Sequence, residues 1–293
     1  MNERKRWLPS LAASATILVA TTSVASSADK SAYSLGSPTP DRLLRELSTD
    51  RPDTTESPFT VDAGRFQIES NLFAYVRSRP DSEGAVTDSY RFATTNIRIG
   101  VTSAAEINVV LRPHEVVHTR PLAPAEAFRN AGVGGLDIRA KFNVWGNDSF
   151  DKPGATALAL LPFVTLPTDR SNGVSPEHAL GGLIVPYAIK LTDKFGLGLN
   201  AGVVYLKDSA AAGYHAEYLS SASLSYEWSE KFGTYYEVAG LFGREDPLGD
   251  IVILGTGFTY KLSKNMQFDA GVNVGVTRAA DRVNPFLGIS TRF

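Results

Sequence analysis

The side chains with most chemical potential are ionisable residues set at alternate positions within otherwise apolar runs. They are Glu69, Arg98, Arg112, Asp137, Arg139, Lys141, Glu237 and Asp269, with Arg77, Glu227 and Arg292 in similar settings. Period-2 spacing puts each on one face of a strand and the apolar residues on the other. A surface carrying both signs sets a field that sorts passing solutes by charge. The alternative is that the charges pair with one another and fill space. Neither role is a covalent step.

Other constellations are weaker. Ser171-Asn172-Gly173 with His178 nearby suggests a serine hydrolase, which needs a base within hydrogen-bond reach and a third group to orient it. The surrounding Asp, Asn, Gly and Pro are ordinary turn residues, so no catalytic residue is assigned. His114 and His118 have the spacing of a helical metal pair, but Pro113 and Val116-Val117 oppose a helix, and no metal site is expected. Gly132-Val133-Gly134-Gly135 precedes a strand, so it presents no helix N-terminus to a phosphate. The absence of Cys excludes a disulfide framework, a thiolate metal site, a cysteine nucleophile and a lipoprotein anchor. With no basic stripe and a slightly acidic balance, the chain is not expected to bind nucleic acid. No cofactor is expected.

The elements that must position the alternating charges are strands. From Gly64 onward, alternation gives about twelve of them. In the first, Phe66, Ile68, Leu72, Ala74 and Val76 face one way and Gln67, Glu69, Asn71, Tyr75 and Arg77 the other. Short turns at 102–105, 192–194, 229–231 and 263–265 alternate with longer polar loops near 79–89, 113–131, 168–178, 208–215 and 244–249. Residues 145–154 form a long turn on the side that should be short. Pro162 and Pro186 fall inside predicted strands, where the missing N–H predicts bulges. The last strand ends in Phe293, the terminal aromatic that outer-membrane barrels present to their assembly machinery.

Two segments precede the strands. Residues 1–28 read as a secretory signal peptide: Arg4, Lys5 and Arg6, an apolar core from Leu8 to Val24, and cleavage after Ala25 or Ala28. Residues 29–62 form an N-terminal extension. Thr39 or Asp41 is placed to cap a short helix through Leu47, followed by the polar stretch Ser48 to Pro58. Asp50, Arg51, Pro52, Asp53 and Glu56 mark that stretch as a candidate plug, held extended by its prolines and paired with inward charges. A solvated tether is the alternative.

Export, alternation and an even strand count together predict an all-β fold, a transmembrane up-and-down antiparallel barrel over residues 63–293. Closure removes both sheet edges, which lipid demands because an unpaired backbone group there costs several kcal/mol. A secreted all-β domain is the competing reading of the pattern.

The polar stretch also carries a family resemblance. Ser48-Thr49-Asp50-Arg51-Pro52-Asp53-Thr54-Thr55-Glu56-Ser57-Pro58, followed by Gly64-Arg65-Phe66-Gln67-Ile68-Glu69, resembles the opening of the outer-membrane family named for a meta-pathway of phenol degradation and described as transporters. Ile97-Arg98-Ile99-Gly100-Val101, Gly132 to Asp137, Leu166-Pro167-Thr168, Tyr235-Tyr236-Glu237 and Asn265 to Asp269 fit it too. The sequence departs from the pattern at Gly135 and at Thr168-Asp169. The resemblance implies an outer-membrane transporter; phenol is not carried over as its substrate.

The expected function is therefore passive passage of small, hydrophobic, amphiphilic or aromatic solutes through an outer-membrane barrel, without enzymatic chemistry. The expected partners are outer-membrane lipid, the barrel-assembly machinery through Phe293, and a small-molecule solute. The alternatives are a structural or surface-interaction barrel without a conducting pore and, further off, a barrel lipid hydrolase.

Overall fold

Buried charge and exposed hydrocarbon dominate this chain, the reverse of a water-soluble sandwich. The computed structural model describes residues 29–122, 126–208 and 213–293. The predicted signal peptide lies outside the described residues. Arg98, Lys141, Glu69, Glu106 and Asp269 are almost wholly buried, whereas Phe142, Tyr205, Tyr236, Leu254 and Val274 are exposed. Such an inside-out pattern suits a barrel with hydrocarbon around it.

The strands are β1 (Phe66–Arg77), β2 (Val86–Thr102), β3 (Ala105–Leu111), β4 (His114–Arg120), β5 (Phe128–Gly132), β6 (Leu136–Trp145) and β7 (Thr156–Leu166). They continue with β8 (Leu180–Lys190), β9 (Phe195–Lys207), β10 (Tyr214–Glu227), β11 (Phe232–Phe242), β12 (Ile251–Ser263), β13 (Met266–Gly275) and β14 (Val283–Arg292). Twelve of the fourteen close a ring, β1-β2-β3-β6 and then β7 to β14 in order, with β14 pairing back onto β1. Phe293 seals this seam: its N–H donates to the Phe66 carbonyl at 2.8 Å.

The remaining two strands correct the expected loop at 113–131. β4 and β5 form a hairpin that prolongs β3 and β6 and pairs β4 with the first half of β2. Pro113 and the Val133-Gly134-Gly135 run interrupt the two long strands, which is why the sequence gives no continuous alternation there. β2 accordingly starts at Val86, inside the expected loop 79–89.

A seam of irregular residues crosses this side of the barrel. A bulge in β1 falls between Asn71 and Phe73, and in β2 Ala93 adopts φ 52°, rare for a residue with a side chain. Counting along the registers places Leu72 opposite Ala93, Ala93 opposite Pro113 and Pro113 opposite Gly134. Beyond the seam the pleat is inverted. Ala74 and Val76 are buried, Ala74 facing the buried Phe286 of β14, while Tyr90 and Phe92 beside Tyr75 and Phe73 are exposed. The expected inward facing of Tyr75 and Arg77, and the outward facing of Ala74 and Val76, are therefore reversed.

Neither internal proline produces a bulge. Pro162 interrupts the β6–β7 ladder between Arg139↔Phe163 and Phe142↔Leu160, and Pro186 interrupts β7–β8 between Leu158↔Tyr187 and Leu161↔Ile184, each with the register unchanged on resumption. A closed sheet fixes every strand from both sides, so losing one N–H opens the ladder locally without shifting it.

The expected helix also shrinks. Only Asp41–Leu43 form a 3-10 turn, after Pro40 and with no side-chain cap. Residues 44–47 run extended because Arg45 is engaged elsewhere: its N–H donates to Asp62 and its guanidinium to Asp148.

Candidate functional site

The extension first packs on the short-turn end and then enters the barrel. At the mouth, Lys30 pairs with Asp62 and Asp148 at 3.1 and 2.8 Å, and Arg45 with Asp148 at 2.8 Å. Asn147 donates to Thr60 Oγ1 at 2.6 Å, and Phe59 meets Phe150 edge-on. The long 146–155 turn, anomalous by its length, is thus the shelf on which the extension rests. Burial works to raise the Asp148 carboxyl, but the hydrogen bonds and charges of Arg45 and Lys30 prevail and hold it below its ordinary range.

Residues 48–62 then cross the interior, touching strands around the whole ring. Asp50 accepts from Lys141 Nζ at 2.6 and 2.7 Å and pairs with Arg98 at 3.2 Å, while its own N–H donates to Glu69. Besides Asp50, Arg98 reaches Glu69 at 2.8 Å, Glu106 at 2.9 Å, and the carbonyls of Ser48 and Phe59. Arg51 donates to Asp269 at 2.6 Å and lies over the Phe286 ring at 5.8 Å. Its guanidinium fills the space above Gly288, where any Cβ would overlap it.

On the opposite wall, the Thr54 N–H and the Thr55 hydroxyl both donate to Glu237, at 3.0 and 2.6 Å. Glu56 is bound twice, its backbone by Asn200 and its carboxylate by Arg139 at 2.7 Å. Arg139 also holds Asp137, which Arg112 clasps at 2.9 and 3.0 Å. Arg112 and Asp137 therefore meet each other and not the inserted segment in any contact formed directly. Pro52 and Asp53 face a cavity of about 820 Å³ on the short-turn side, bounded also by Tyr235 and Gln267. A smaller cavity of about 200 Å³ lies on the other side of the segment, walled by Phe163, Ile184, Leu219 and Ala239 above Glu56 and Arg139.

Thus Glu69, Arg98, Lys141 and Asp50 form one cluster, Arg139, Asp137, Arg112 and Glu56 a second, and Glu237 and Asp269 each grip the segment separately. Glu106 completes the first cluster, and its period-2 position in β3 was the available signal. Asn200 and Ser221, the latter 2.8 Å from the Thr55 hydroxyl, are neutral polar residues among small ones, with no comparable signal. Of the weaker constellations, Ser171 Oγ donates to Asp169 at 2.7 Å within a turn. His114 and His118 stand on β4, a strand and not a helix.

The family described as "Putative MetA-pathway of phenol degradation" matches residues 49–293, so its span begins inside the inserted segment and not at the first strand. An outer membrane channel from Pseudomonas putida F1 is similar in fold, with a TM-score of 0.60 at 10% identity, covering 84% of this chain and 100% of that one. Two further solved structures, a NanC porin and the CymD monoaromatic hydrocarbon channel, give TM-scores of 0.49 and 0.40 at 8% and 10% identity. They cover 77% and 78% of this chain and 98% and 87% of theirs. At these identities the likeness is one of fold. No curated protein matches the chain in sequence.

Proposed function

The chain belongs to this MetA-pathway family, and we propose that it is a passive outer-membrane channel for small solutes, constricted by residues 48–62. The observation that carries the reading is the inserted segment itself. It separates two cavities within one closed wall, so any route along the axis must pass it. The smaller cavity has apolar sides and a polar floor of Glu56, Arg139 and Asn200. That combination suits a solute with an apolar body, aromatic or aliphatic, and one polar end.

The location follows from the same reading. The exposed apolar wall takes outer-membrane lipid as its solvent, and residues 1–28 direct export. Phe293, 63% exposed at the end of β14, is offered to the assembly machinery. Deleting it should cut the yield of heat-modifiable barrel well beyond what one side chain contributes to stability, and an unchanged yield would remove this role.

A closed structural barrel is the second reading, favoured by the density of ion pairs across the middle. Planar-bilayer conductance of the purified protein and of a variant lacking residues 48–58 separates the two. The channel reading expects discrete steps from the intact protein and larger ones from the deletion, both remaining heat-modifiable on gels. Silence from both proteins would leave the structural barrel.

A further inference from the structure

The long-loop end of the barrel carries a convergence of ligand atoms that solute passage does not use. Asp208 follows β9, His215 is the second residue of β10, and Glu245 lies in the connection from β11 to β12. One ligand atom from each lies within 4.8 Å of the others. His215 Nδ1 is 3.0 Å from an Asp208 oxygen and 3.5 Å from a Glu245 oxygen, while Nε2 is 3.3 Å from Glu217.

These distances fit a bound cation. Two ligands at 2.0–2.1 Å from a tetrahedral metal stand about 3.4 Å apart, between the two Nδ1 separations. Glu217 accepting from Nε2–H would fix the ring and leave the Nδ1 lone pair directed at the two carboxylates. This is the carboxylate–histidine arrangement that orients metal-bound imidazoles. Four carboxylates gather here, Asp208, Glu217, Glu245 and Asp246, against Arg244 and Lys207. Arg244 is engaged by the Gly249 carbonyl and Asp246, with its Nε 3.7 Å from the second oxygen of Glu217, which leaves the Glu217 oxygen that faces Nε2 to the imidazole. Glu245 is half exposed, which leaves a coordination position open to water.

We propose that Asp208, His215 and Glu245 bind a divalent transition-metal ion, with Glu217 as the positioning residue behind the imidazole. One nitrogen and two oxygens suit Zn²⁺ and its neighbours over Ca²⁺ or Mg²⁺, which prefer all-oxygen sites. The ion would clasp the adjoining ends of β9 and β10 to the β11–β12 connection at the outer rim.

The test is calorimetric titration of the chelator-washed, detergent-solubilised barrel with Zn²⁺ near neutral pH. One saturable equivalent is expected, weakened about tenfold or more in H215A and in the D208N/E245Q double variant, and by a similar order in E217Q. A variant with His114, His118 and His178 all changed to Asn should bind like the parent. Heat-modifiable migration reports folding of each protein. If H215A fails to fold, the exposed single change E245Q takes its place. No saturable uptake, or uptake unchanged by H215A or E245Q, would overturn the site and leave His215 as an imidazolium held among carboxylates.

Discussion

Lys141 Nζ lies 2.6 and 2.7 Å from the two carboxylate oxygens of Asp50, 91 residues earlier in the chain, and Lys141 is fully buried. One side chain belongs to the barrel wall and the other to the inserted segment, so this pair fastens one to the other. Removing one partner of a buried pair costs roughly 3–5 kcal/mol, because the charge left behind is uncompensated. Lys141→Met should therefore loosen residues 48–58 while the ring of strands stays closed. The expected outcome is noisier or larger conductance with normal heat-modifiability. Unchanged conductance would mean that the contacts of Arg51, Thr54 and Thr55 hold the segment unaided.

Gly288 gives an independent handle. A Cβ there overlaps the Arg51 guanidinium, the cationic half of the pair with Asp269, and also comes within 2.6 Å of the Ser70 carbonyl oxygen of β1. Gly288→Ala, the smallest change, should displace Arg51 from Asp269 and from the Phe286 ring and raise conductance in the same direction as the Lys141 change, with normal heat-modifiability showing that the β1–β14 seam stays closed. The two variants act on different strands, β6 and β14, and on different residues of the segment, Asp50 and Arg51, so their combination should approach the behaviour of the 48–58 deletion. A combination no greater than either alone would show that the segment leaves as one unit.

The sequence discloses the strands and hides some of what each strand meets. Alternation is uninterrupted in β11 and β13 and, in β6, as far as the register shift between Asn143 and Trp145, so facing is legible directly: Asp137, Arg139 and Lys141 share one side, as do Gln267 and Asp269. β1 begins with the same pattern, yet the bulge after Asn71 inverts it; the continuous apolar run from Leu72 to Val76 fits either facing, so alternation alone does not reveal the switch. β4 and β5 were hidden by Pro113, Pro121 and Pro124, which read as loop, although His114–Arg120 before Pro121 pairs with Phe128–Gly132 after Pro124. The 146–155 turn was visibly too long for its side of the barrel. Its reason, the pairing of Asp148 with Lys30 and Arg45, joins residues more than a hundred positions apart, a relation no local pattern encodes.

The register of β13 can be tested by charge. Asn273 shares a face with Asp269 and lies beside Glu237 at the Gly255 backbone, whereas Val272 takes the opposite face. Arg on the lipid face near the midplane costs roughly 2–4 kcal/mol. Val272→Arg should thus lower the urea midpoint of folding into vesicles much more than Asn273→Arg, whose new charge meets Glu237. Equal effects, or the reverse order, would show that the strand is shifted by one residue.

Acid should release the extension from its shelf before the barrel unfolds. Asp148 has an ordinary carboxyl value of 3.8 when free, and the docked state lowers it. A lowered value means that the docked state gains from the ionised form. That gain is complete above 3.8 and fades as pH falls through the lowered value, when Asp148 is protonated and its pairs with Arg45 and Lys30 weaken. Asp148→Asn should reproduce the acid state at neutral pH. Limited proteolysis reads both: trimming within residues 29–47 should accelerate in the variant at neutral pH, with the closed barrel intact on gels. The parent should show the same acceleration with pepsin only at the acid extreme. Equal trimming of parent and variant at neutral pH would mean that Lys30 and Arg45 hold the extension through Asp62, Thr60 and Ser103, with Asp148 incidental.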